Sequence, residues 1–335
     1  MIGHVACAAA TALALAATVA TADEIRPKTE SGTFSATFEN DTFGGTDRNY
    51  TNGIRLEHVS PANDLPLWGR VAKRGLSRLA DADDWYATHA LGQTIYTPED
   101  ISLETPPADA RPYAGFLYGS VGLVADAGDQ LDTFALDLGV VGPASLAEET
   151  QTFVHRRLGV QEPEGWDTQL DNEPGFRLLW ERKYRFLHRL DTGAFGLQVD
   201  AAPHANIALG NVDTSAAIGG TVRIGDRLDD TYGPPRIRPA VSAPGFFQTS
   251  DGVGWYLFAA AEARVVGYNM FLQGNLLRDG VDGVEPKRLV GDLQAGLAVQ
   301  FQGVELTYTH VFRSPEYDGQ SGFVDFGSFN LRFRL

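Results

Sequence analysis

This all-β sequence predicts a transmembrane antiparallel β-barrel of about twelve strands, on three observations. Apolar residues recur at every second position over long runs. Many runs reach ten residues or more, beyond the roughly five or six of soluble sheets and close to the about 9–11 tilted residues that cross a bilayer. The chain closes on an alternating aromatic strand, with Phe329, Leu331, Phe333 and Leu335 set against Asn330, Arg332 and Arg334.

Composition narrows the function classes. The 335 residues carry 27 basic and 43 acidic side chains, a formal charge of −16, with a pI near 4.8. A nucleic-acid binder needs a basic face to displace counterions, so that class is excluded, and a polybasic membrane patch is disfavoured. The only cysteine is Cys7, which removes disulfides, thiol catalysis and cysteine-based zinc sites. Residues 1–22 hold no Asp, Glu, Lys or Arg and end on Ala20-Thr21-Ala22, a small-x-small pattern that a signal peptidase cuts. The expectation is an export signal over 1–22 and a barrel over 23–335.

Alternating segments fall at about 33–41, 51–60, 86–98, 112–125, 130–141 and 174–186, then at 193–209, 214–226, 252–266, 287–301, 303–313 and 323–335. Asn269–Leu277 reads as either an extension or a loop. One stretch breaks the rhythm. Residues 143–159 open on Pro143 and close on Gly159, and Glu148 and Glu149 precede Arg156 and Arg157, as the helix dipole favours. Leu146, Thr150, Phe153 and Leu158 mark an apolar stripe. The reading is a helix of about four turns on the extracellular rim.

With both termini periplasmic, strand 1 ends outside at Glu39-Asn40-Asp41 and strand 2 begins near Thr51. Strand 4 starts outside after Arg111, and the 143–159 helix joins them at the same mouth. Parity turns Phe34, Ala36 and Phe38 to lipid and Glu39 and Asp41 to the lumen, with Thr51, Arg55 and Glu57 also inward. Asn40 has lipid-facing parity. Gln151 and His155, four apart on the helix, share a face, and an amide beside an imidazole can orient a general base. Hairpin chemistry at Asp41 and simple charge balance by Arg111, Arg156 and Arg157 are the alternatives from spacing alone. No Gly-x-Ser-x-Gly elbow, His-x-x-x-His pair or His-x-Ser arrangement is present.

At these residues the chain resembles the lipid A deacylase family of outer-membrane barrels. The matching stretches are Glu39–Phe43, Asp47–Gly53, Ile95–Pro98, Arg111–Gly115 and Gly142 through Gln151 and His155 to Trp166. The resemblance implies a twelve-stranded, calcium-dependent (Ca2+) hydrolase that removes an ester-linked 3′-acyloxyacyl chain from lipid A of lipopolysaccharide. It implies His155 as general base with Gln151 beside it, Asn40 and Thr51 lining the site, and Asp41 as the metal-binding carboxylate. Glu99–Ala110 lacks Lys and Arg, so substrate phosphates would fall to Arg111, Arg156, Arg157 or Arg48. A monomer in contact with membrane lipid is expected. A non-catalytic barrel (a pore or rim-binding protein) and a phospholipase using the same site are the alternatives.

Overall fold

The computed structural model describes residues 31–44, 49–188, 197–234, 236–237, 252–277 and 283–335. The expected export signal and Arg48 lie outside them. Twelve antiparallel strands form one closed sheet: β1 Thr33–Asn40, β2 Asn49–Val59, β3 Asp84–Thr97, β4 Ala114–Asp126, β5 Gln130–Val141, β6 Glu173–Tyr184, β7 Gln198–Gly210, β8 Asp213–Gly225, β9 Val253–Asn269, β10 Leu289–Phe301, β11 Val304–Arg313 and β12 Val324–Arg334. Phe186–His188 continues β6 past Arg185 and pairs with β7 in the same register as Lys183↔His204. Each strand pairs with its sequence neighbours, and β1 pairs with β12 from Thr33↔Arg334 to Asn40↔Gly327. No edge remains to present unpaired backbone to hydrocarbon.

All twelve predicted strands are present, and their burial is inverted relative to a soluble protein. Outward side chains such as Ile218, Leu293 and Leu331 are exposed, whereas Glu305, Arg332 and Arg223 are buried. A soluble sandwich hides its apolar face; this sheet shows it on the outside and closes around its charges. The lumen charges are paired. Arg332 binds Glu305, which also accepts from Gln300 Nε2 at 2.6 Å and Thr307 Oγ1 at 3.0 Å. Arg177 donates to Asp137 at 2.6 Å, and Arg313 holds Asp292 through two bonds of 2.8 Å.

The described part of the connection from β8 to β9 turns into the barrel. Tyr232 packs among Val59, Tyr86, Val124 and Leu131, and its hydroxyl donates to Asp126 Oδ1 at 2.6 Å. Farther on, Arg236 Nε donates to Glu39 Oε1 at 2.6 Å, and Ile237 N reaches the same oxygen at 3.2 Å. Asp126 ends β4 at the end of the barrel that carries the termini, and Glu39 nears the opposite, rim end of β1. The described part of this segment therefore reaches side chains toward both ends of the lumen. Beside it lies a cavity of about 50 Å³, among Glu39, Tyr96, Tyr118, Arg177, Arg236 and Arg313.

Two elements refine the sequence reading. Asn269–Leu277 resolves into the end of β9 and a single turn, α3, over Met270–Gln273. Between β2 and β3, where no helix was predicted, α1 spans Leu67–Leu76 and packs on the outer wall against Trp85, Ala87, Leu123 and Phe134. (α2, Ala147–Leu158, is treated with the site.)

Arg332→Met leaves the Glu305 carboxylate buried without its counter-charge and should cost about 3–5 kcal/mol. Guanidinium unfolding in detergent measures this, and the double substitution Arg332→Met with Glu305→Met should recover most of it. Equal midpoints for Arg332→Met and wild type would show that the pair contributes nothing.

Candidate active site on the outer wall

The rim helix differs from the continuous amphipathic helix that the sequence predicts. A short 3-10 turn, Pro143–Ser145, ends at Leu146 in left-handed backbone, and α2 then runs from Ala147 to Leu158. Gly159 closes it with φ of 66°, where a side chain would be strained. The buried residues are Ala147, Gln151 and His155, whereas Leu146, Phe153 and Leu158 are exposed. The apolar stripe thus faces away from the barrel and the polar stripe faces it. Docking, not hydrophobicity, chose the inner face.

That face lies against the outside of the barrel. On β3, Thr94 and Tyr96 line the lumen cavity, so Ile95 and Thr97 point outward, and Ile95 packs with Tyr113, Ala147 and Trp166. On β4, a Cβ at Gly115 would come within 2.2 Å of Ala147 Cβ and Ser145 Oγ. Only glycine allows the helix so close. Tyr113 meets Trp166 at a tilted angle with centroids 4.9 Å apart, and Gln93 Nε2 donates to Ser145 O at 2.7 Å. The Arg111–Gly115 stretch therefore splits its roles: Tyr113 and Gly115 seat the rim segment, while Arg111 serves the lumen.

Thr51 corrects the parity reading. The β2–β3 register slips between Tyr50 and Asn52, leaving Thr51 as the bulged residue. Tyr50 takes the inward position, its hydroxyl 2.8 Å from Glu39 Oε2, and Thr51 Oγ1 meets outward Thr97 Oγ1 at 2.7 Å. Thr51 thus belongs to the outer wall, as does Asn40, which pairs with Asn52 and so shares its face. Asp41 is fully buried and opens a 3-10 turn, Asp41–Gly44, so the inward parity of β1 stops before it. Asp41 and Thr51 each lie one residue beyond the Asn40–Asn52 pair.

His155 is positioned by a backbone carbonyl. Its Nδ1 bonds Gln161 O, an atom that can only accept, so Nδ1 carries the proton and Nε2 is the basic nitrogen. Gln151, expected to orient the imidazole, is itself held: its Oε1 accepts from Trp166 Nε1 at 2.9 Å. Its Nε2 is buried with no hydrogen-bond partner, a donor left for a ligand. Asn52 Oδ1 is likewise a buried acceptor without a partner. Asn52, Thr97 and Trp166 lie within the matching stretches without an assigned role there, and Gln161 was not singled out; an Asn with lipid-facing parity was the available signal for Asn52.

The expected phosphate-binding arginines are placed apart. Arg111 is fully buried, over the Tyr96 ring at 4.8 Å and 3.5 Å from Glu316 Oε2, so it faces the lumen network instead of the rim. Arg156 is exposed and holds both oxygens of Glu162 at 3.0 Å, and Arg157 lies over Phe153 at 5.2 Å. Partial burial, then neighbouring Glu149 and Asp167, pushes the Glu148 carboxyl up. The start of the helix is thus an acidic patch. Among the described residues no three His, Cys, Asp or Glu side chains cluster to hold a metal.

The arrangement defines a transmembrane barrel with a rim helix whose polar face, Gln151 and His155, packs toward the outer wall. The family model described as outer membrane protein LpxR matches residues 5–335, and the chain belongs to this family. Among solved structures, LpxR from Salmonella typhimurium is similar with a TM-score of 0.73 at 20% identity, over 90% of this chain and 100% of that one. The β domain of the Bordetella autotransporter BrkA gives a TM-score of 0.44 at 13% identity, over 92% and 100%. No curated protein matches.

Gly115→Val forces α2 off the wall. With the barrel intact by heat-modifiable mobility, turnover by this site should fall about 10²-fold, the scale of a displacement near 1 Å. A Gly115→Val protein with full activity would place the chemistry elsewhere.

Proposed function

We propose that this outer-membrane protein is a hydrolase that removes an ester-linked 3′-acyloxyacyl chain from lipid A, with His155 as general base. The observation that carries the reading is an imidazole pinned through Nδ1 on a helix packed against the outer face of the wall. A membrane lipid meets this outer side of the wall from the bilayer, without entering the lumen. An ester carried by a membrane lipid fits this access, and family membership and the motifs around His155 favour lipid A over glycerolipid.

The chemistry follows from the groups present. His155 Nε2 takes a proton from water, and the hydroxide adds to the ester carbonyl. The developing oxyanion needs a donor, and Gln151 Nε2 is the unspent N–H on the same helix face. Collapse breaks the bond to the alkoxy oxygen, which takes the proton from the imidazolium; the products are a fatty acid and a hydroxyl-bearing lipid.

Calcium is the cofactor this reading takes, and the donor set suits it. Asp41 is a fully buried carboxylate beside the neutral oxygens of Asn40, Thr51 and Asn52. Hard oxygen donors select calcium over zinc, and one carboxylate makes a weak site, in the range of about 10⁻⁴–10⁻³ M. When bound, the ion would supply positive charge near the developing oxyanion. The acidic start of α2 favours a cation there; phosphate recognition falls to Arg157 and to Arg156 once it leaves Glu162.

His155→Ala should lower lipid A deacylation about 10²- to 10⁴-fold with the barrel intact, read by mass spectrometry of lipid A from cells expressing each form. Chelation should abolish activity. Asp41→Asn should show a defect that shrinks as calcium is raised, while the His155→Ala defect stays constant. Wild-type rates in His155→Ala, or full activity in excess chelator, would refute the respective assignment; release of glycerolipid acyl chains alone would favour the phospholipase.

The pore alternative requires an open lumen, and the described lumen is occupied by the Tyr232–Ile237 segment and its ion pairs. In planar bilayers the purified protein should show no steady conductance; a stable open channel would reverse this ordering.

A further inference from the structure

Helix α1 combines three properties that its surroundings do not use. First, it lies on the lipid side of the wall. Tyr86 packs in the lumen with Tyr232, so Trp85 and Ala87 point outward, and α1 covers them with Trp68, Ala72 and Leu76. Arg182 NH2 donates to Leu79 O at 2.6 Å and ties the following turn to β6. Second, the face away from the barrel is apolar: Leu67 is 73% exposed, Val71 58% and Leu79 54%. A water-soluble surface gains nothing from these side chains, but hydrocarbon covers them.

Third, the helix is basic. Between Asp64 and Asp81 the chain carries Arg70, Lys73, Arg74 and Arg78 and no acid, within a protein of net charge −16. Arg70, Arg74 and Arg78 are exposed and recur every four residues, so they form one stripe beside Leu67 and Val71. Lys73 instead lies over the Trp85 ring at 5.3 Å. The overall acidity therefore hides a local cationic surface.

Depth fixes the partner. Trp68 meets His89 edge-on, with centroids 5.5 Å apart, and Trp180 stacks on Phe134 while its indole donates to Asp132 Oδ1 at 2.8 Å. Aromatic side chains with polar edges on the outer wall mark the membrane–water boundary. This boundary lies at the end of the barrel carrying both termini, opposite the rim helix. An apolar row at that depth enters the acyl region, and an adjacent arginine row meets headgroup phosphates.

We propose that α1 is a binding surface for anionic phospholipid headgroups at the leaflet on the terminal side, with Arg70, Arg74 and Arg78 holding the phosphates and Leu67, Val71 and Leu79 seated among acyl chains. The helix then acts as an interfacial anchor that sets the barrel's depth, independent of the chemistry at the rim.

The test uses the full-length protein in bilayers of brominated phosphatidylglycerol or brominated phosphatidylcholine, with quenching of Trp68 isolated by subtracting the Trp68→Phe protein. A cation at an anionic surface is worth roughly a factor of five, so phosphatidylglycerol should be preferred about five-fold or more at low salt. The triple variant Arg70→Gln, Arg74→Gln, Arg78→Gln should bring that ratio close to one while keeping heat-modifiable mobility. Equal quenching by the two lipids in wild type, or a preference that survives the triple substitution, overturns the proposal. So does a triple variant that alters the molecular mass in detergent and leaves the lipid preference unchanged, since the face would then be a protein interface.

Discussion

Hydrocarbon accepts no unpaired backbone group, and every other feature of this molecule depends on how the chain meets that constraint. Closure of β1 on β12 pairs the last edge, and once the sheet is closed each strand divides its side chains between two environments. The strict alternation of β9 shows the result: Trp255 and Leu257 face lipid, while Glu262 and Arg264 pair inside at 2.6 Å. Charges that a soluble sheet would give to water are here enclosed, so each needs a counter-charge.

Filling the lumen has a consequence for function. With the described interior committed to ion pairs and to the described part of the β8–β9 connection, the rim segment packs on the outside of β3 and β4. Gly115 permits the approach, Tyr113 and Trp166 set the spacing, and the Gln161 carbonyl fixes the imidazole.

Both helices that pack on the wall hide their role from a search for amphipathic stripes. In α2 the residues that would mark a buried face, Phe153 and Leu158, are exposed, and the inner face is Ala147, Gln151 and His155. In α1 Trp68, Ala72 and Leu76 cover the wall, while a second apolar row, Leu67 and Val71, and the basic row face away from the protein. An apolar stripe predicts burial only when water is the alternative; beside a membrane the two faces of a helix have two apolar neighbours to choose between.

Local pattern was enough for the strands, the closing aromatic strand and the pairing of Gln151 with His155 on one face, because alternation and helical spacing are short-range properties of the chain. Three decisions were tertiary. The bulge that turns Thr51 to the outer wall arises from the β2–β3 register, and a one-residue slip leaves no trace in a strand's own sequence. Arg111 faces the lumen because Glu316 and Tyr96, distant in sequence, close around it. Which side of the barrel α2 covers was set by the small residues at its contact, Gly115 and Ala147, whose meaning lies in how closely two elements pack and not in any property of either alone.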